Sequence, residues 1–202
     1  RSGRVWVEMD DPAARLAGDP TADAHPVELH GLGLTIADVV AVVRDRAPAR
    51  LADDAREAMR ASAALIDGFV AGDRPVYGVT TGFGSLAGTV IPPERTAELQ
   101  VALVRSHATG MGEPVETEVV RALLLLRARS LAMAHSGARP ELVDLQLALL
   151  DHDVLPVVRE HGSLGASGDL GPLALGALAL VGEVEVWVGG AEVKAYVAWL
   201  SK

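Results

Sequence analysis

Gly162-Ser163-Leu164-Gly165-Ala166-Ser167-Gly168-Asp169-Leu170-Gly171-Pro172-Leu173-Ala174-Leu175 sets a Gly- and Ser-rich loop directly against an uncharged apolar run. Glycines at 162, 165 and 168 point to backbone conformations that a Cβ disfavours. From Leu170 to Gly182 no charge interrupts; 13 residues are too few to span a bilayer and suit a buried helix. Taken by itself, the stretch is a loop leading into a helix, with Asp169 as cap and Pro172 in the first turn. A nucleophile elbow around Ser167 would need Gly at position 169, which is Asp, so a serine hydrolase is not supported.

Working outward from that loop, helical signals dominate. Thr35 with Asp38 three residues on opens an apolar-periodic run to about Ala47, where Pro48 interrupts. A second run covers 51 to 70 and stops at Gly72, and further candidates span 94 to 108 and 116 to 135. Pro140 in a first-turn position opens another to about Asp151. Leu123, Leu124, Leu125 and Leu126 are consecutive, which predicts apolar surroundings on every side of that helix. Between the helices, residues 76 to 93 are Gly- and Thr-rich and read as a shaped loop. Val184 to Val188, Gly189-Gly190 and the residues to Val197 read as a small hairpin, the last part equally compatible with a helix. Residues 1–26 read as an irregular N-terminus. The fold class expected is mainly α.

Composition excludes whole chemistries. The 202 residues carry 18 Lys+Arg against 27 Asp+Glu, a formal net charge of −9, which disfavours nucleic acid or an anionic membrane as partner. Half of the residues are hydrophobic but only 3% aromatic, so close-packed helices are favoured over sheets. Without cysteine there is no disulfide, thiolate metal site or thiol nucleophile, which fits a reducing, cytoplasmic setting. No signal-peptide pattern opens the sequence. Lysine occurs only at Lys194 and Lys202, so a phosphate-binding G-x-x-x-x-G-K loop is impossible and a pyridoxal-phosphate site improbable. No two histidines have metal-ligand spacing such as H-E-x-x-H, and no metal is expected.

Two further segments share the character of the 162–175 run. Tyr77-Gly78-Val79-Thr80-Thr81-Gly82-Phe83-Gly84 is one, and Ser106-His107-Ala108-Thr109-Gly110 is the other. Alone, Tyr77 reads as a loop tyrosine half buried against a bundle, and His107 as a hydrogen-bonded histidine in a last helical turn. Together, in this order, the three segments resemble the signatures of the aromatic amino acid ammonia-lyases, and Ser106-His107 resembles the form found in histidine ammonia-lyases. The resemblance covers residues 27–190 as one N-terminal ammonia-lyase domain. It leaves 191–202 as a divergent end, truncated relative to the longer family members. Departures stand at Arg127-Ala128-Arg129-Ser130, where the family usually has Asn, and at Val184, where Gly is common.

The resemblance implies the N-terminal part of the aspartase/fumarase-like helical fold, with Gly-rich active-site loops. It implies that Ala166, Ser167 and Gly168 cyclise, with loss of two waters, into a 4-methylidene-imidazol-5-one prosthetic group. Tyr77 would then serve acid–base work at the substrate β-carbon, and His107, Ser106 and Gly84 would contact the substrate. The expected reaction is removal of ammonia from L-histidine to give urocanate, a step of histidine catabolism, in a cytoplasmic homotetramer. A tyrosine or phenylalanine ammonia-lyase, an aminomutase, and an inactive helical fragment that binds partner subunits are the alternatives. A phenol acts as base near neutral pH only where dipoles or charges favour its anion, and the N–H groups of Gly78 and Gly82 are candidates for that duty.

Overall fold

Thr35 caps the first helix as its sequence predicts. In the computed structural model, which describes residues 5–8, 25–165, 168–184, 186–188, 191–193 and 195–198, its Oγ1 accepts from the Asp38 N–H at 3.2 Å. Asp38 Oδ2 in turn accepts from the Thr35 N–H at 2.8 Å, completing a capping box for α1 (Ile36–Val43). The helix ends earlier than the expected Ala47. Arg46 adopts φ +62° and turns its guanidinium onto Asp153 at 2.5 Å, so the chain leaves the helical path before Pro48.

The second helix also starts later than its pattern suggests. Residues 49–51 form β3 (Ala49–Leu51), which pairs in parallel with β2 (Val27–Leu29) and brings Leu29 and Leu51 into the core. α2 (Asp53–Ala71) follows, with Asp53 and Asp54 at its positive end, and stops at Gly72. The remaining helices lie where the sequence places them: α3 (Thr96–His107), α4 (Thr117–Ala132), α5 (Pro140–Asp151) and α6 (Leu170–Leu180). Six helices among the described residues make the protein mainly α, as expected. None is long and apolar enough to cross a membrane.

Short strand pairs tie these helices together. β4 (Met111–Pro114) runs antiparallel to β6 (Arg159–His161), a pairing with no clear signal in a segment containing Gly112 and Pro114. β5 (Val154–Pro156) pairs with β7 (Val186–Val188), which pairs with β8 (Ala191–Val193) across residues 189 and 190 as the expected hairpin. β1 (Val5–Glu8) lies parallel to β9 (Ala195–Ala198), a strand within the N-terminal region read as irregular.

The core centres on α4 and α5. Leu124, Leu125, Ala128, Val143 and Leu150 meet Val42 of α1 and Met59 of α2, and each fully buried aliphatic side chain contributes roughly 1.5 to 3 kcal/mol. A smaller cluster of Leu149, Val154, Ala179 and Val186 joins α6 to α5 and the hairpin. α4 is not enclosed on all sides. Leu126 and, seven residues earlier, Val119 stay exposed on one flank, because the described elements cover only the side bearing Leu124 and Leu125.

Candidate active site

α3 is the element on which the singled-out segments converge. Its last residue is His107, whose Nδ1 lies 2.9 Å from the Leu103 carbonyl oxygen and 2.9 Å from Ser106 Oγ. Since a carbonyl only accepts, the ring proton is assigned to Nδ1, which leaves Nε2 as the open position of the neutral imidazole. Ser106 Oγ also donates to the Leu103 carbonyl, at 2.7 Å. Both side chains are thus held by the helix's own last turn.

The Tyr77 loop docks on the same helix further back, where Gln100 Nε2 donates to the Gly78 carbonyl at 3.1 Å. Seven residues separate Gln100 from His107, which is roughly 10 Å along the helix. Tyr77 is 63% exposed, and the Phe83 ring meets it edge-on at 5.9 Å between centroids. Gly78 takes φ +72°, and a Cβ there would fall 2.7 Å from Phe83 Cε1, so only glycine permits that ring contact.

The donor to the phenol oxygen is not one of the expected pair. The Gly78 N–H donates to Thr81 Oγ1 at 3.3 Å and the Gly82 N–H to the Thr89 carbonyl at 3.0 Å. It is Gly84, which the resemblance places against the substrate, that donates its N–H to Tyr77 Oη, at 3.2 Å. Thr80 and Thr81, which the sequence reading passed over, are buried polar residues in this loop.

The segment after His107 meets the Gly-rich bend through backbone. A Cβ on Gly162 would lie 2.7 Å from the Thr109 carbonyl oxygen, and one on Gly171, in the first turn of α6, would lie 3.0 Å from the same atom. The β4–β6 pair, with Met111 opposite His161, holds these stretches in register. The bend itself is bracketed by Gly165 at φ +65° and Gly168 at φ +84°. Ala166 and Ser167 lie outside the described residues.

Asp169 does not cap α6. Its Oδ1 accepts a short hydrogen bond from Ser163 Oγ, which also accepts from the Gly165 N–H at 3.2 Å, so the carboxylate braces the bend rather than the helix N–H groups. Arg105 of α3 grips Glu183, just beyond α6, through two hydrogen bonds of 2.6 and 2.5 Å. That contact holds the Glu183 carboxyl below its usual range. Among the described residues no cluster of three or more His, Asp or Glu is placed to hold a metal ion.

Known proteins share this arrangement. The family model for aromatic amino acid lyases matches residues 34–201. The histidine ammonia-lyase of Geobacillus thermodenitrificans is 49% identical over 164 residues, which are 81% of this chain and 32% of that protein. Among solved structures, tyrosine aminomutase from Streptomyces globisporus superposes with a TM-score of 0.78 at 33% identity, covering 84% of this chain and 32% of the other. Histidine ammonia-lyase from Trypanosoma cruzi gives 0.74 at 37% identity, covering 82% and 31%. The chain therefore spans about a third of the length of these relatives. With the family model matching most of its length, this chain belongs to the aromatic amino acid lyases.

Proposed function

We propose that this chain carries the electrophile-forming and histidine-recognising part of an enzyme that eliminates ammonia from L-histidine to give urocanate. The observation that carries the reading is that the Tyr77 loop docks on α3 through Gln100, that Ser106 and His107 form the last turn of that helix, and that Gly162 and Gly171, on either side of the Ala166-Ser167-Gly168 stretch, pack against Thr109 just beyond it. The 49% identity to histidine ammonia-lyases favours histidine over other aromatic substrates.

The methylidene-imidazolone that Ala166, Ser167 and Gly168 would form supplies the electron sink that a poorly leaving amino group needs. Tyr77 Oη takes the proton from the substrate β-carbon, held in place by the Gly84 N–H that donates to it. His107, its proton fixed on Nδ1 by the Leu103 carbonyl, presents Nε2 to the N–H of the substrate imidazole. Ser106 keeps that ring oriented. The proposal invokes no metal and no pyridoxal phosphate.

Since His107 and Gln100, the residue on which the Tyr77 loop docks, sit about 10 Å apart along α3, we take completion of the site by neighbouring subunits of a homotetramer as part of this reading. Exposed apolar side chains on α2 and α4, among them Leu65, Phe69, Val119 and Leu126, support such assembly. The cysteine-free composition supports a cytoplasmic setting.

The test is product identity. Urocanate formation from L-histidine, lost in Ser167→Ala with helicity retained, supports the proposal. The likeness to a tyrosine aminomutase favours a second reading, under which tyrosine or phenylalanine is consumed instead. A peptide spanning 166–168 that lacks the two-water mass deficit, in a protein that forms no product, overturns both and leaves an inactive helical module.

A further inference from the structure

The Tyr77 side chain is mostly solvent-exposed, so ring burial alone cannot fix where its oxygen lies. Its main chain is held instead, on both sides. The Val76 N–H donates to Thr80 Oγ1 at 2.8 Å and the Gly78 N–H to Thr81 Oγ1 at 3.3 Å. Those two hydroxyl-bearing residues are buried, at 7% and 4% exposure. Each hydroxyl passes its own proton to a carbonyl: Thr80 Oγ1 to Arg74 at 3.4 Å, Thr81 Oγ1 to Gly82 at 3.1 Å.

The threonines are themselves anchored from behind. The Ile91 N–H donates to the Thr80 carbonyl at 2.8 Å, and Thr81 forms an antiparallel bridge with Val90. A continuous path therefore runs from the 89–91 strap through two side-chain hydroxyls to the amides flanking one tyrosine. A turn built only for backbone economy would not need two consecutive buried hydroxyls reaching to either side of a single residue. Burial makes these bonds hard to replace by water.

We infer that the Thr80 and Thr81 hydroxyls are positioning groups for Tyr77, holding the backbone N–H groups of its two neighbours, Val76 and Gly78, so that Oη stays against the Gly84 N–H and in reach of the substrate β-proton. This rests on the assignment of Tyr77 as the acid–base residue. Misplacement of a reacting group by about 1 Å costs on the order of 100-fold in rate. Thr→Val at either position keeps the side-chain shape and removes the hydroxyl, whereas Thr→Ser keeps the hydroxyl.

The experiment compares Thr80→Val, Thr81→Val, Thr80→Ser and Thr81→Ser in the whole protein, alone and combined with Tyr77→Phe. The expected result is a fall in kcat of about tenfold or more for each Val variant, with KM little changed, rescue by Ser, and an unaltered two-water mass deficit at 166–168. In the Tyr77→Phe background the Val substitutions should cause no further loss, because they act through that phenol. Faster amide exchange at Gly84 in the Val variants is expected too, and this needs no activity. Equal losses with and without Tyr77, a change confined to KM, or unchanged exchange at Gly84 would overturn the inference. If the wild-type protein makes no product while exchange at Gly84 still responds to Thr→Val, the clamp stands and the lyase reading falls.

Discussion

Replacing Gly171 by Ala puts one methyl group where three backbone segments meet. The new Cβ would lie 3.0 Å from both the Thr109 carbonyl oxygen and the Gly162 carbonyl carbon, and closer still to the Gly162 oxygen. Ordinary contact of such atoms lies near 3.5 Å, so the Gly162 oxygen must retreat by about 1 Å or more. Backbone atoms cannot rotate aside as side chains do, and overpacking of this kind costs about 1 to 3 kcal/mol. Gly176, five residues along the same helix and also buried, is the internal control. A methyl there would meet Leu124 Cδ2 at 3.6 Å and Leu123 Cδ2 at 3.9 Å, which is ordinary contact. Removing a glycine from a helix interior should itself gain about 0.5 to 1 kcal/mol. The two variants should thus differ by roughly 2 to 4 kcal/mol, a separation of about 1 M or more in the midpoint of urea unfolding followed by far-ultraviolet circular dichroism. Because Gly162 leads into the bend, Gly171→Ala should also slow the appearance of the two-water mass deficit, and Gly176→Ala should not. Equal midpoints and equal deficits in the two variants would refute the claim that backbone crowding at Gly171 sets the bend.

Arg121 is 3% exposed and donates to the carbonyls of Val42 at 2.9 Å, Val43 at 3.2 Å and Leu150 at 2.9 Å, closing the ends of α1 and α5. Arg121→Met leaves those three carbonyls without their donor, while Asp153 keeps Arg46, and should cost about 3 kcal/mol or more in urea unfolding. Arg60→Met, at an exposed residue 3.8 Å from Glu57, should stay within about 0.5 kcal/mol; similar losses in both would dismiss the special role of Arg121. Ser163→Ala releases Asp169 and the Gly165 N–H from their shared hydroxyl, so the mass deficit at 166–168 should develop more slowly after synthesis than in the wild type. Indistinguishable time courses in intact-mass measurements would show that the brace is dispensable.

The start of α1, the end of α2 and both ends of α5 were legible because helix signals act over three or four residues. Thr35 and Asp38 cap one another, Pro140 fits a first turn, and Gly72 ends a run without help from the rest of the chain. The three segments set apart in the sequence stood out through their resemblance, in order, to the signatures of the aromatic amino acid lyases, the family that matches residues 34–201. Interactions that join distant residues were not. β4 and β6 meet across some fifty positions, and residues 49–51, which continue smoothly into the helical pattern of α2, become a strand only because Val27–Leu29 lies alongside.

The sequence alone determined which local structures the chain can form and which reactive groups it carries. Tertiary structure decided where those groups point and what touches them. It gave Gly84 rather than Gly78 or Gly82 to the Tyr77 oxygen, turned Asp169 to Ser163 rather than to α6, buried Arg121 and left Leu126 exposed. The physical reason is that a hydrogen bond or a burial is settled by competition among all partners within a few ångströms, and folding alone determines which residues those are.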